Sequence, residues 1–192
     1  RDRARHLISL WIDTNEIRWR KDAWRPSVAG NRLSNWIDQR EFLAVGATPS
    51  FLRKLDTSIY QHNRFLKHLR LLLPPGFNRI IALKGLILTA LTNRDCRYLI
   101  RVCKHLDREI VTQILGDGGH ITRNPIIEVE LLRHLIDIRT ALKHSNEEIS
   151  GYLQNAIDKI APMVRFFRHG DGGLALFNGG NEGEGWLIDV IL

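Results

Sequence analysis

The stretch "IIALKGLILTAL" at residues 80–91 decides the fold, because it is the longest apolar run in the 192-residue chain. Its apolar side chains recur on nearly every face of a helix instead of along one stripe. This pattern predicts a helix near 78–92 that is buried on most sides. A membrane span needs about 18 apolar residues or more, whereas this run is shorter and contains Lys84. The stretch therefore predicts a central core helix and no membrane span.

The segments before and after this helix also have helical periodicity, and only the short "GLALF" at 173–177 could form a strand. The sequence therefore predicts an all-α fold, packed as antiparallel neighbours. His62 lies on the apolar stripe of the third helix, which favours a hydrogen-bonded core histidine over a ligand. Helices are predicted over 2–13 and 26–44, from Pro49 to 73, near 94–115, from Pro125, and from a capping box formed by Ser145 and Glu148.

The net charge of +7 is concentrated in the first 80 residues, which hold 15 Lys and Arg against 7 Asp and Glu. A basic half of this kind suits an acidic partner such as a polyanionic sugar, nucleic acid or anionic lipid. A solvated helical surface explains the same charge. Cys96 and Cys103 are seven residues apart on a predicted helix, which is about 10 Å along its axis and too far for a disulfide. The histidines show no metal-ligand spacing with acids, so neither metal nor cofactor is predicted.

Two connections share an unusual composition: "LGDGGHITRNP" at 115–125 and "FFRHGDGGLALFNGG" at 166–180. Connections alternate between the two ends of a bundle of antiparallel helices. The longer, Gly-rich and Trp-rich connections follow the first, third, fifth and seventh predicted helices, so all four are expected at one end. Since functional residues gather on loops held by a rigid scaffold, this end is the candidate functional face.

The residue types at this end suit an acidic carbohydrate. Tryptophan faces stack on sugar rings, arginine binds carboxylate or sulfate through two hydrogen bonds, and imidazole moves protons near neutral pH. A simpler interpretation makes the tryptophans packing anchors and the Asp-Gly-Gly units helix stops. No phosphate-binding loop, dinucleotide fingerprint, zinc-protease motif or nucleophile elbow is present, and no recognition motif supports nucleic-acid binding.

The motifs "LGDGGHITRNPIIEVELL" and "MVRFFRHGDGGLALFNGG" resemble the N-terminal helical region of bacterial heparinase II/III-like proteins, across essentially the whole chain. The resemblance implies an incomplete α/α toroid over residues 1–192, truncated at its C-terminal end and followed by a missing β-sandwich domain. It also implies β-elimination on uronate-containing polysaccharides and a periplasmic location, with a cytoplasmic one left open. The sequence departs from the family's pattern: Arg79 replaces a histidine, Ile127 a tyrosine and Glu128 a second histidine.

The main hypothesis is thus a carbon–oxygen lyase whose partners are an acidic polysaccharide and the β-sandwich domain. The alternative is a non-catalytic domain of the same fold that binds acidic carbohydrate or acts as a cell-envelope scaffold. Within the lyase hypothesis, Asn78 neutralises the uronate carboxylate and either His120 or His169 is the base. The catalytic set is Asn78, His120 and His169, and the substrate-binding set is Trp19, Trp24, Arg79, Arg123, Asn124, Arg168 and Asn178.

Overall fold

The computed structural model describes residues 1–15, 22–69 and 73–192, and the prediction of an all-α fold is confirmed for them. No strand forms among these residues, and "GLALF" contributes only to an isolated bridge between Arg168 and Leu174. The helices are α1 (Asp2–Asn15), α2 (Pro26–Asp38), α3 (Arg40–Ala44), α4 (Pro49–Leu69), α5 (Phe77–Thr92), α6 (Cys96–Gln113), α7 (Pro125–His144), α8 (Gly151–Phe167) and α9 (Gly185–Ile191).

Two predicted helix boundaries are wrong. The segment 26–44 is not one helix, because the backbone leaves helical geometry at Gln39 and separates α2 from α3. The predicted capping box also starts too early. Ser145 is the C-cap of α7, and the N-cap of α8 is Ser150, whose side chain accepts a hydrogen bond from the backbone N–H of Leu153.

The chain divides into two compact units: Arg1–Pro74 with Ile81–Leu99, and Pro75–Ile80 with Ile100–Leu192. We call them unit 1 and unit 2. In unit 1, α4 packs against α1 and α2. Residues 80–90 of α5 are all buried, as its apolar sequence predicts. Gly30 and Gly85 allow α2 and α5 to approach closely, since a Cβ on Gly30 would lie 2.7 Å from the carbonyl oxygen of Ile81.

An aromatic cluster in unit 1 encloses one cation. The Arg32 guanidinium lies 3.7 Å from the centre of the Trp11 ring and donates to Nε2 of His62 over 2.8 Å. The other ring nitrogen of His62 donates to the carbonyl oxygen of Ser58, which fixes the neutral tautomer. His62 is completely buried, so the prediction of a hydrogen-bonded core histidine is confirmed.

Unit 2 is built around α7, which packs against α8 and α9. Both α7 and α8 bury leucine, isoleucine and valine side chains. α9 is more exposed: Trp186 is 65% exposed, whereas Leu187 and Ile191 are half-buried. The last helix therefore presents apolar surface to solvent.

Candidate functional site

The two Asp-Gly-Gly loops of unit 2 have the same construction. Each follows a helix end and closes through an isolated antiparallel bridge, Ile114 with His120 in the first and Arg168 with Leu174 in the second. In each loop the aspartate side chain accepts from the backbone N–H of the second glycine over 3.0 Å. The first glycine has φ of +90° in both, a conformation that favours glycine. The composition that the loops share is thus a local backbone requirement.

The two loops are in contact, as the alternation of connections predicts for this pair. Asn124 donates through its side chain to the backbone oxygen of Asn178 over 3.0 Å, and Asn178 donates to the backbone oxygen of Arg123 over 3.0 Å. Asn124 also caps α7, because its side-chain oxygen accepts from the N–H groups of Ile126 and Ile127. One asparagine therefore fixes both the start of α7 and the distance between the loops.

A chain of buried polar groups runs from the start of α5 to the first loop. Arg79 donates to Glu109 over 2.6 Å, and the other oxygen of Glu109 accepts from Gln113 over 2.7 Å. Gln113 accepts from Nε2 of His120 over 3.2 Å, while Nδ1 of His120 accepts from the backbone N–H of Thr122 over 3.2 Å. His120 is therefore a neutral imidazole with both nitrogens engaged inside the protein.

Glu128 completes this network from the first turn of α7. One carboxylate oxygen accepts from the backbone N–H of His120 over 2.7 Å, and the other has no hydrogen-bond partner among the described residues. Burial raises the pKa of Glu128 to about 7, against the opposing effect of the His120 hydrogen bond. Burial also lowers the pKa of His120. Burial therefore disfavours the charged form of both groups.

Five of the ten residues proposed for catalysis or sugar binding are engaged in the structure of the loops themselves: His120, Arg123, Asn124, Arg168 and Asn178. His120 is 1% exposed, so its imidazole faces the interior of unit 2 and not a substrate. Arg123 pairs with Asp117 over 2.7 Å, and Arg168 pairs with Asp189. The hydrogen bond from Gly119 and the Arg123 contact hold the pKa of Asp117 below its usual value. These contacts explain why the side chains occupy these positions, with no bound ligand required.

Of the two tryptophans proposed to stack on a sugar, Trp24 is described by the structure, and it supports the interpretation as a packing anchor. Trp24 is 3% exposed and stacks on His62 with ring centres 4.4 Å apart, which leaves no ring face open to a sugar. It is a packing anchor of unit 1. Trp19 lies outside the described residues. Asn78 and His169 are exposed, and His169 lines a shallow depression of the second loop together with Asp171 and Glu182.

Sequence reasoning missed an exposed cationic surface, which lies on α6 in unit 2. Arg101, Lys104 and Arg108 follow one another at intervals of three and four residues, so they project from one face, and all three are exposed. A groove of about 390 Å³ runs along this face and is lined by Lys104, Arg108, Val111 and Tyr152 among others. Val111 is 60% and Tyr152 is 58% exposed. The spacing of the cations was visible in the sequence, but the neighbouring tyrosine of α8 was not.

Two kinds of site are not found in the described part of the chain. No group of three or more His, Cys, Asp or Glu residues could hold a metal ion there. No helix described here has the length and apolar character required to cross a membrane.

Comparison with known proteins gives one informative similarity. The chain is 30% identical over 182 residues to FtsZ-localized protein C of Caulobacter vibrioides (strain NA1000 / CB15N). The alignment covers 93% of this chain but 31% of that protein, so the chain spans about a third of its relative. No protein-family model matches the chain, and no solved structure matches it significantly.

This similarity corrects the interpretation of the loop motifs. The resemblance to heparinase II/III-like proteins is wrong, because the relative is named for its location with FtsZ and does not fit that family. The lyase function inferred from the resemblance is wrong for the same reason. The loop parts of the two motifs that suggested it, "LGDGGHITRNP" and "HGDGGLALFNGG", are accounted for by the paired loop construction described above.

Proposed function

We propose that this chain is a non-catalytic scaffold domain of a cell-division protein and that it binds protein partners in the company of FtsZ. The observation that carries the proposal is the 30% identity to FtsZ-localized protein C, which extends over nearly all of the chain. A similarity that covers 93% of the chain concerns its whole architecture, not one short motif. The relative's name describes a location rather than a reaction.

The chemistry of the loops supports binding over catalysis. A catalytic base must come within hydrogen-bond reach of a substrate proton, whereas His120 is buried with both ring nitrogens engaged. Arg123 and Arg168 are held by Asp117 and Asp189. The loops therefore serve as rigid connectors that fix the ends of α6, α7 and α8.

The α6 surface of unit 2 is the best candidate for the partner contact. Arg101, Lys104 and Arg108 form no ion pair with any described residue, so their charges are available to an acidic partner. Val111 and Tyr152 add apolar and aromatic area beside them. Aromatic and arginine side chains are the residue types that contribute most to protein–protein interfaces. The surface thus combines electrostatic attraction with a small apolar groove.

The test measures binding of the purified full-length protein to purified FtsZ, together with the location of a fluorescent fusion relative to FtsZ in the host cell. We expect saturable binding and coincident location. The double change Lys104→Glu and Arg108→Glu should weaken binding by roughly tenfold or more, because charge reversal at an interface turns attraction into repulsion. The weakening should decrease as salt concentration rises.

A matched control separates a specific surface from general charge. Arg53 and Arg64 of α4 are exposed cations of unit 1, and reversing both changes the net charge by the same amount. This control variant should bind FtsZ as the unmodified protein does. Equal weakening of both variants would overturn the α6 assignment. The absence of both FtsZ binding and coincident location would overturn the proposed function. Loss of binding on addition of duplex DNA would favour a nucleic-acid partner instead.

The finer architecture is part of the same proposal. The packing of the helices into an incomplete α/α toroid, and of residues 1–192 into a single domain, stays a prediction. An experimental structure of the full-length protein would test it. A closed bundle in which α1 contacts α9 would contradict it.

A further inference from the structure

A second groove lies in unit 1 and differs in character from its surroundings. It has a volume of about 620 Å³ and is bounded by α2, α3, α4 and α5. Volumes of about 300–1,000 Å³ are typical of pockets that bind small groups. Asp56, Ile59, Tyr60 and Asn63 of α4 line it, at the spacing of one helix face.

The lining of the groove contains a buried polar atom that the described residues leave unsatisfied. Asn63 is 7% exposed, and its side-chain oxygen has no hydrogen-bond partner among the described residues. A buried carbonyl oxygen without a partner costs about 1–3 kcal/mol. Thr89 also lines the groove, and its hydroxyl donates to the backbone oxygen of Gly85, so the hydroxyl oxygen can only accept from a ligand. These two lining oxygens therefore favour a ligand that donates hydrogen bonds.

The charges at the mouth of the groove favour a cationic ligand. Arg40 and Asp56 neutralise each other through two guanidinium nitrogens, at distances of 2.8–3.1 Å. The exposed carboxylate of Glu41 forms no ion pair with any described residue and gives the groove a net negative charge. Unit 1 as a whole holds 17 Lys and Arg against 8 Asp and Glu. A negative groove in a strongly basic unit has the opposite sign to its surroundings.

Tyr60 supplies an aromatic surface at the same mouth, where 63% of the residue is exposed. Cations bind over the face of tyrosine rings, and the planar guanidinium of arginine also stacks there. We propose that this groove binds the guanidinium of an arginine from a partner protein. Glu41 attracts the charge, Tyr60 stacks on the guanidinium plane, and an N–H reaches the oxygen of Asn63. This site is independent of the proposed FtsZ contact on α6.

The test uses N-acetyl-arginine-N-methylamide as the probe and the corresponding citrulline compound as a control, because citrulline has nearly the same shape without the charge. Both are titrated into ¹⁵N-labelled protein and followed by NMR. We expect the arginine compound to shift the side-chain amide of Asn63 and the backbone amide of Tyr60, and to saturate below about 10 mM, near the weak end of measurable affinities. Citrulline should bind at least about tenfold more weakly, the difference expected of a charge-assisted contact.

Three variants locate the site. Glu41→Gln and Tyr60→Ala change exposed side chains, so the protein should fold, and each should weaken arginine binding by about threefold to tenfold. Asn63→Leu removes the buried oxygen and should weaken it as well. Glu148→Gln changes an exposed acid of unit 2 and should have no effect. Equal binding of arginine and citrulline, no saturation, or full binding by both Glu41→Gln and Tyr60→Ala would each overturn the proposal.

Discussion

Glu128 gives the sharpest prediction of pH-dependent stability. Its ordinary pKa of 4.5 is raised to about 7 by burial in the first turn of α7. At roughly 1.4 kcal/mol for each pKa unit, ionising this carboxyl in the folded protein opposes folding by about 3 kcal/mol. The folded protein binds the proton more tightly than the unfolded chain does. The penalty is therefore small below pH 4.5, grows as pH rises, and is complete above pH 7.

The change Glu128→Gln removes this ionisation and leaves an oxygen that can accept from the backbone N–H of His120. Glutamine introduces an unpaired amide at the position of the free carboxylate oxygen, which adds a cost that does not depend on pH. Between about pH 5 and pH 8, the wild type should therefore lose about 2–3 kcal/mol of stability relative to the variant. Because His120 also has a lowered pKa, it supplies no positive charge to offset the carboxylate near neutral pH.

Urea unfolding at pH 5 and pH 8, followed by circular dichroism at 222 nm, measures this difference. Hydrogen exchange of α7 peptides shows whether the effect arises in unit 2. The control Glu148→Gln changes an exposed carboxylate and should alter the free energy of unfolding by less than about 0.5 kcal/mol at both pH values. A difference between wild type and Glu128→Gln that stays constant from pH 5 to pH 8 would refute the reasoning.

Three further substitutions test the packing that positions these sites. Arg32 also donates to the backbone oxygen of Ala23 over 2.9 Å. Arg32→Lys should lower the free energy of unfolding by about 1–3 kcal/mol, because lysine cannot stack on Trp11 while donating to both His62 and Ala23. An unchanged urea midpoint would contradict this. Asn124→Ala should cost about 1–2 kcal/mol through loss of the α7 cap, and hydrogen exchange should increase in the second loop as well as at the start of α7. Gly118→Ala should cost about 2 kcal/mol or more in the free energy of unfolding, because φ is +90° and a Cβ would lie 2.5 Å from a backbone oxygen. The control Gly116→Ala has open space around the new Cβ and should be nearly neutral. Thermal unfolding of both variants measures the difference.

Features set by neighbouring residues could be predicted from the sequence. The buried α5 follows from apolar side chains on all faces, and the start of α7 follows from an asparagine before a proline. The capping of α8 could not be predicted, because Ser145 and Ser150 both suit an N-cap. The structure selects Ser150, whose hydroxyl also donates to Asp107, 43 residues earlier. A contact across that separation leaves no mark on the local pattern.

The proximity of the two Asp-Gly-Gly loops was predicted from the sequence, whereas the lyase function assigned to them was wrong. The alternation of connections predicted that the two Asp-Gly-Gly loops lie at the same end, and the hydrogen bonds between them confirm that they are in contact. The chemistry assigned to them depended on side chains being free, which no sequence pattern reports. The sequence did carry one signal of a buried polar network, namely polar residues on the apolar face of a helix. Glu109 and Gln113 interrupt the buried face of α6, and both belong to the network that encloses His120.

The two loops show why composition alone is a poor guide to function. Both have the same bridge, the same aspartate-to-glycine hydrogen bond and the same left-handed glycine. Their histidines nevertheless differ completely, since His120 is enclosed by Gln113 and Glu128 while His169 is exposed. A reaction site built from both loops would require two accessible, converging groups. The buried histidine instead stabilises the connection between α6 and α7, so we expect partner recognition to depend on the open surfaces of α6 and of the unit 1 groove.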